Sequence, residues 1–381
     1  LFAVCVSVFL LFALITGVQA AEPIKIGVVL SITGWGGAMG TPMKEAMTTI
    51  VEEVNKNGGV NGRRIELLVE DDQSNPTTAV ISATKLSRDE KVSLLMGPTT
   101  TDSGMAMIPI AEQEHVPFVL SGPVIAPLKK WVFHTVPNDI VNSAAVMEFA
   151  VKKVGGKRIA VIHDTANFGM TGMKVFASEI TKYPGASIVA QEKFETTDTS
   201  VVPQLMKIKA ANPDVMLIQT PAIQAAVVAK NYRQLGMKMP VVGPPTVTTP
   251  DFLRTAGSVA ETSPWILLGS KIGCAETIPP SDPWRKNLYE PFKKIMRAKY
   301  GPTKPITIFH SVAHDAVYIA LEALKAANSD DRTAIRNALE TIRYEGTMGP
   351  YACTPTDHRG IIVYNGVPVV VKGGEFVPYK K

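Results

Sequence analysis

The sequence predicts an α/β protein built on two doubly wound parallel sheets, and three observations carry that reading. Short apolar segments recur with about 10 to 15 helical residues between them, the spacing of strands joined by crossover helices. The pattern pauses at Val136-Pro137-Asn138-Asp139 and then begins again. The chain of 381 residues also exceeds what one hydrophobic core usually supports, so two units of roughly 100 to 200 residues each are the default.

In the first unit, Ile24 to Leu30 reads as a strand. Thr41-Pro42 then opens a helix with a capping hydroxyl and a proline at its first position. Met43, Ala46, Met47, Ile50, Val51 and Val54 keep helical spacing until Asn57-Gly58-Gly59 stops it. A strand at Ile65 to Val69 follows, then a helix started by Asn75-Pro76 and carrying Ala79, Val80, Ala83 and Leu86. Val92 to Met96 is a strand, the stretch through Ile110 a helix, and Val116 to Leu120 a strand.

After the pause, helices are expected at Val141 to Val154, Met170 to Tyr183, Val201 to Ala211 and Ala222 to Leu235. Strands alternate with them at Arg158 to Ile162, Ser187 to Phe194 and Val215 to Thr220. Residues Val241 to Lys271, rich in Pro, Gly and Thr, read as loops around a short helix near Phe252 and a strand at Trp265 to Leu268. Helices at Trp284 to Tyr300, Ile308 to Ala327 and Arg332 to Thr341 come next. The last strands include Gly360 to Tyr364 and Val367 to Val371, with a turn at Asn365-Gly366.

Residues 1–20 are uncharged, apolar to about Ile15, and end in Val18-Gln19-Ala20, the small-x-small pattern of a cleaved export signal. The apolar run is shorter than the about 20 residues of a membrane span, so a periplasmic protein is expected. The net charge of +5 is spread along the chain without basic blocks interleaved with aromatics, and no nucleic-acid partner is indicated. Cys274 and Cys353 follow the leader. In an oxidising compartment a disulfide between them is possible, although spacing alone does not decide it.

Parallel sheets bind ligands at the carboxyl ends of their strands. The loop Ser31 to Gly40 is glycine-rich, but a dinucleotide fingerprint would need glycine where Met39 stands and an acid that comes too late, at Glu70-Asp71-Asp72. Those acids read as a solvated loop capping the next helix. His310 and His314 are spaced to face one metal, yet Ser311 stands where a zincin places glutamate, and core histidines are the simpler reading. His163-Asp164 at a strand end is assigned a structural or inter-unit role, since no nucleophile is marked. No phosphate loop or nucleophile elbow is present, so no enzyme and no cofactor are expected.

The runs GVVLSITGWGGAMG, EEVNKNGGVNGRRIELLVEDDQSNP, LLMGPTTTDSGMAMIPIAEQEHVPF, RIAVIHDTANFG, NPDVMLIQTPAIQAAVVAKNYRQLG and MGPYACTPTDHRG closely resemble the branched-chain amino acid type of periplasmic substrate-binding protein, which serves ABC importers. The resemblance spans the chain after the leader. It implies the two-lobed type I fold with three hinge crossings, lobe 1 taking residues 23–139 and 271–345 and lobe 2 taking 140–270 and 346–381. It also implies a monomer that traps its ligand between the lobes and presents the closed form to a membrane permease.

In the amino-acid-binding relatives, hydroxyls and backbone amides hold the α-carboxylate. The resemblance carries that role to Thr100, Thr101 and Asp102, at a helix N-terminus suited to an anion, and to Ser121, Gly122 and Pro123. The alternative is that the threonines only cap the helix. The ammonium half is lost: Ile125 replaces a threonine, and Pro245 replaces the lobe 2 carboxylate. Met39, Phe168 and Pro221, beside Thr220, replace tyrosines, and Trp35, Met39, Ile125 and Phe168 are expected to line an apolar body. The ligand implied is an aromatic or hydrophobic carboxylate. A branched-chain amino acid or an amide or urea is the alternative within the family, and a ligand-sensing module ranks below both.

Overall fold

The structure is a computed structural model that describes residues 22–122, 129–261, 265–361 and 366–380. The expected leader, the site positions Pro123 and Ile125, and Asn365 of the expected turn lie outside these residues.

The first five strands form one parallel sheet in the order β2-β1-β3-β4-β5. They are β1 (Ile24–Leu30), β2 (Ile65–Asp71), β3 (Leu94–Gly97), β4 (Phe118–Leu120) and β5 (Val132–His134), with α1 (Gly37–Lys56), α2 (Pro76–Arg88) and α3 (Thr101–Gln113) in the crossovers. Helix α1 starts four residues before the expected Thr41, and Pro42 lies inside it. Gly40 permits this entry, because a Cβ there would lie 2.0 Å from the Ser31 carbonyl oxygen. Asn75 caps α2 as expected, accepting from the Thr77 and Thr78 amides.

The second sheet runs β14-β13-β10-β9-β8-β6-β7. Helix α4 (Asp139–Phe149) leads into β6 (Arg158–Asp164), α5 (Asn167–Glu179), β7 (Ser187–Phe194), α6 (Val202–Ala210), β8 (Val215–Gln219), α7 (Ala222–Gln234), β9 (Val241–Gly243), α8 (Pro250–Ala256) and β10 (Trp265–Gly269). The chain then returns to the first sheet. Buried residues of α9 (Glu290–Tyr300), α10 (Ile308–Ala327) and α11 (Arg332–Thr341) share a core with Ile26, Val28, Met43 and Met47. The small ladder of β11 (Arg343–Glu345) and β12 (Pro350–Ala352) follows, and β13 (Val367–Lys372) and β14 (Glu375–Pro378) close the second sheet as an antiparallel edge. The hairpin between them turns on Gly373 and Gly374, both at positive φ, the backbone that a tight two-residue turn demands.

One expected boundary moves. Tyr351, Cys353 and Ile361 bury in the core of the first sheet, and the His134 amide donates to the His358 carbonyl, so the chain leaves the first unit after 361 and not at 345. The expected disulfide is also absent. Cys274 packs in the core of the second sheet and Cys353 in that of the first, and both are free.

A buried carboxylate fixes the approach to the last crossing. Asp315 of α10, fully buried, accepts from the Thr347 amide (2.8 Å), the Thr347 hydroxyl (2.8 Å) and the Met348 amide (2.7 Å), with His314 Nδ1 at 2.9 Å. Gly346 leaves room for it, since a Cβ there would meet Asp315 Oδ2 at 2.4 Å. His310 turns its Nε2 to Glu45, so both histidines of the α10 pair are engaged within the fold.

Three outcomes are expected. Thiol titration of the native protein labels neither cysteine rapidly, and both react after denaturation. Asp315→Ala leaves two backbone N–H groups without their acceptor and lowers stability by about 3 kcal/mol in urea melts. Removing the exposed Arg63 partner Asp330 costs less than about 1 kcal/mol.

Candidate functional site

In each sheet the strand order reverses once, between β1 and β3 and between β6 and β8, and the crevice at such a point is where parallel sheets take ligands. Thr99 to Thr101 and Ser121 stand at the first set of strand ends. Asp164, Gln219 and Thr220 stand at the second, all fully buried, with Pro245 and Thr246 just after β9.

A cleft of ≈ 700 Å³, open at its mouth, lies between these ends. The first unit contributes Met43, Thr99 and Ser121, and the second Asn142, Pro245 and Thr246. Val136 and Pro137, Ser270 and Lys271, and Gly366 bring the three crossings to its wall, and α10 adds Ile308, Phe309 and Val312. Thr347 and Met348, the residues that Asp315 holds, complete it. The lining is mostly apolar, with hydroxyls from Thr99, Ser121, Ser270 and Thr347. Among the described lining residues there is one cation, Lys271, and no carboxylate. The Lys271 ammonium lies 5.7 Å from the centre of the Trp284 ring, and the Trp284 indole N–H donates to the Thr347 carbonyl at 3.1 Å. The Asp315 clamp, the Trp284 ring and Lys271 thus form one connected wall.

A smaller pocket of ≈ 280 Å³ adjoins the cleft and shares Thr246 and Phe309 with it. It is lined by Trp35, Met39 and Pro221, and its one acid among the described residues, Asp251, is paired with Arg254. A third cavity, ≈ 1050 Å³ and open to the outside, lies where α3 faces α4 and α5, with Thr101, Met105, Ile140, Asn167 and Lys174 on its walls.

The expected residues divide among these places. Ser121 and Pro245 line the main cleft, Trp35, Met39 and Pro221 the adjoining pocket, and Thr101 the outer cavity. Thr100 caps α3, its hydroxyl accepting from the Ser103 amide at 3.3 Å. The Thr101 hydroxyl donates to Asp139 at 3.4 Å, and Asp102 accepts from the Asn167 side chain. The cleft hydroxyl of this turn is therefore Thr99, whose Oγ1 also accepts from the Ser31 amide at 3.0 Å. Gly122, Phe168 and Thr220 are buried and line none of the three cavities. Lys271, Asn142, Phe309, Thr347 and Met348 escaped the sequence reading, because they come from crossings and helices that carry no motif.

Two acids stand apart at the junction of the units. Burial pushes the Asp139 carboxyl well above the usual carboxylate range. It also raises Asp164 to about 6, against the Ala166 amide, whose hydrogen bond to Oδ1 at 2.9 Å favours the ionised form. Burial holds the neighbouring His163 below its ordinary value, favouring the neutral ring.

Comparison with known proteins agrees with this architecture. A family model described as periplasmic binding protein matches residues 23–374. The leucine-, isoleucine-, valine-, threonine-, and alanine-binding protein of Pseudomonas aeruginosa is 24% identical over 338 residues, 87% of this chain and 86% of that protein. An extracellular ligand-binding receptor from Rhodopseudomonas palustris HaA2 superposes with a TM-score of 0.85 at 27% identity, over 94% of this chain and 99% of that one. A solute binding protein of an ABC transporter from Rhodopseudomonas palustris BisB5, solved in complex with 3,4-dihydroxy benzoic acid, superposes with a TM-score of 0.78 at 21% identity, over 93% of this chain and 95% of that one. With its two parallel sheets, three crossings and a match across nearly the whole chain, the protein belongs to the periplasmic binding protein family.

Proposed function

We propose that the protein is a monomeric, extracytoplasmic solute receptor of an ABC importer, without enzymatic activity, that closes two lobes around a small aromatic or hydrophobic carboxylate. One lobe comprises residues 23–138 and 271–361, the other, opening with α4, residues 139–270 and 366–380. Ligand bridging both strand-end surfaces favours the closed form by its additional contacts, and a membrane permease reads that form.

The observation that carries the ligand class is the polarity of the main cleft, whose described lining residues offer the hydroxyls of Thr99, Ser121 and Ser270 with Lys271 to an anion and no carboxylate to an ammonium. Pro245 occupies this wall where the resemblance places the relatives' acid. Burying an aromatic ring of ~150 Å² contributes roughly 4 kcal/mol, and enclosing an unpaired ammonium costs several kcal/mol in return. An amino acid gains little from such a site. An acid of similar body without the amino group keeps the full gain. The benzoic acid complex of the Rhodopseudomonas palustris BisB5 protein supports the reading as a fold-level likeness.

Calorimetry with 3-phenylpropionate and phenylalanine isolates the amino group. The deaminated acid is expected to bind tighter by at least ~2 kcal/mol, about 30-fold, and tight leucine binding would overturn the assignment. Lys271→Met keeps the length of the side chain and removes the cation. It should weaken 3-phenylpropionate by ~1.5 to 3 kcal/mol while leaving the melting temperature nearly unchanged. Equal affinity in this variant would place the carboxylate elsewhere in the cleft.

A further inference from the structure

Beside the cleft, where α3 of the first unit meets α4 and α5 of the second, lies a sealed cluster of acids and amides. Asp139, the first residue of α4, is 0% exposed. Its Oδ2 accepts from Thr101 across the junction, and its Oδ1 has no hydrogen-bond partner. Ser143, one turn further along α4, and Gln219 at the end of β8 are also 0% exposed, and the Ser143 hydroxyl and both Gln219 side-chain polar atoms lack partners. Asp164 and Gln219 abut α5 so closely that a Cβ at Gly169 would lie 2.6 Å from Asp164 Oδ1 and one at Gly172 2.4 Å from the Gln219 side chain. A second bridge, Asp102 to Asn167, lies on the same seam.

The charged groups that bear most directly on the two buried acids are carboxylates. Asp139 is opposed by Asp164, and Asp164 by Asp102 of α3. His163 turns its Nδ1 to the Asp164 carbonyl at 2.7 Å, and Lys174 of α5 stands in the outer cavity. Two buried carboxylates, each with a further acid bearing on it, favour holding a proton in a dry space.

We propose that this cluster is a proton-linked latch: closing the units over a ligand moves one solvent proton onto the Asp139–Asp164 pair, and opening hydrates the pair and releases it. The proposal rests on the two-lobe closure described above. Its chemistry is one O–H bond formed on closure and broken on opening. Burial in this structure raises both carboxyls above their ordinary 3.8, Asp164 to about 6, and the latch takes this buried arrangement as the closed one. A group raised in the closed form favours closure fully below its open-form value and loses that contribution as pH rises through its closed-form value. The affinity for the ionised ligand should therefore fall as pH rises from about 4 through about 6, by at most about tenfold per unit for one proton.

Calorimetry of 3-phenylpropionate near pH 6, in buffers of different ionisation heat, counts the protons taken up. Net uptake is expected, and Asp139→Asn should abolish it and flatten the pH profile. A merely structural role for Asp139 would lower affinity at every pH and leave the proton count unchanged. Small-angle scattering of the ligand-free protein is the second measurement, with acidification expected to compact the wild type and not Asp139→Asn. Failure of 3-phenylpropionate to bind, with acid compaction retained, counts against the ligand assignment alone. Affinity and compaction both independent of pH would overturn the latch.

Discussion

A parallel sheet covered by helices on both faces leaves only its strand ends for chemistry, and this molecule is arranged so that two such edges face each other. The arrangement depends on the crossings that link the units. Each is fixed by a different means: Val136 and Pro137 by the start of α4, Ser270 and Lys271 by the end of β10, and the approach to the third by the Asp315 clamp on Thr347 and Met348. The same residues form the cleft wall. Loosening a crossing would therefore disturb both the relation of the units and the site itself.

The distribution of charge around the cleft follows from this geometry. Acids near the junction are engaged or sealed away: Asp251 by Arg254, Asp315 by the clamp, and Asp139 and Asp164 within the sealed seam. Lys271 remains at the wall, oriented by an aromatic face that supplies no counter-charge. A low-dielectric cleft with a cation and several hydroxyls favours an anion strongly over a neutral or cationic group of the same shape.

Long periodic elements were legible in the sequence. The helices Ile308–Ala327 and Arg332–Thr341 and the strand Ser187–Phe194 stand where the pattern put them, because ten or more patterned residues, or eight alternating with turns, fix both type and phase. The strands β5, β11 and β12 were not legible. Each has three residues, and their pairing is decided by neighbours distant in sequence. The third crossing was misplaced for a related reason: residues 346 to 361 carry little periodicity, and only the burial of Tyr351, Cys353 and Ile361 shows which core they join. Of the expected site residues, Ser121 and Pro245 line the main cleft. Thr101 faces the outer cavity and Thr99 of the same turn faces the cleft, since a run of three threonines differs only in direction and direction is set by the helix that follows.

The two strand-end surfaces show how one backbone solution yields opposite electrostatics. In both units a helix starts hard against a strand end through glycine, Gly40 against Ser31 and Gly169 against Asp164. At the first, the strand ends present hydroxyls, with Thr99 and Ser121 turned to the cleft. At the second, the N-terminus of α5 is already occupied by the chain's own carboxylate, Asp164, which accepts from the Ala166 amide at 2.9 Å. A helix N-terminus so filled has little left for an external anion and repels one through the acid it holds. On the proposed function, an incoming carboxylate would thereby be directed to the first unit and its apolar body left to the second, so that the ligand's two ends would rest on different sides of the hinge.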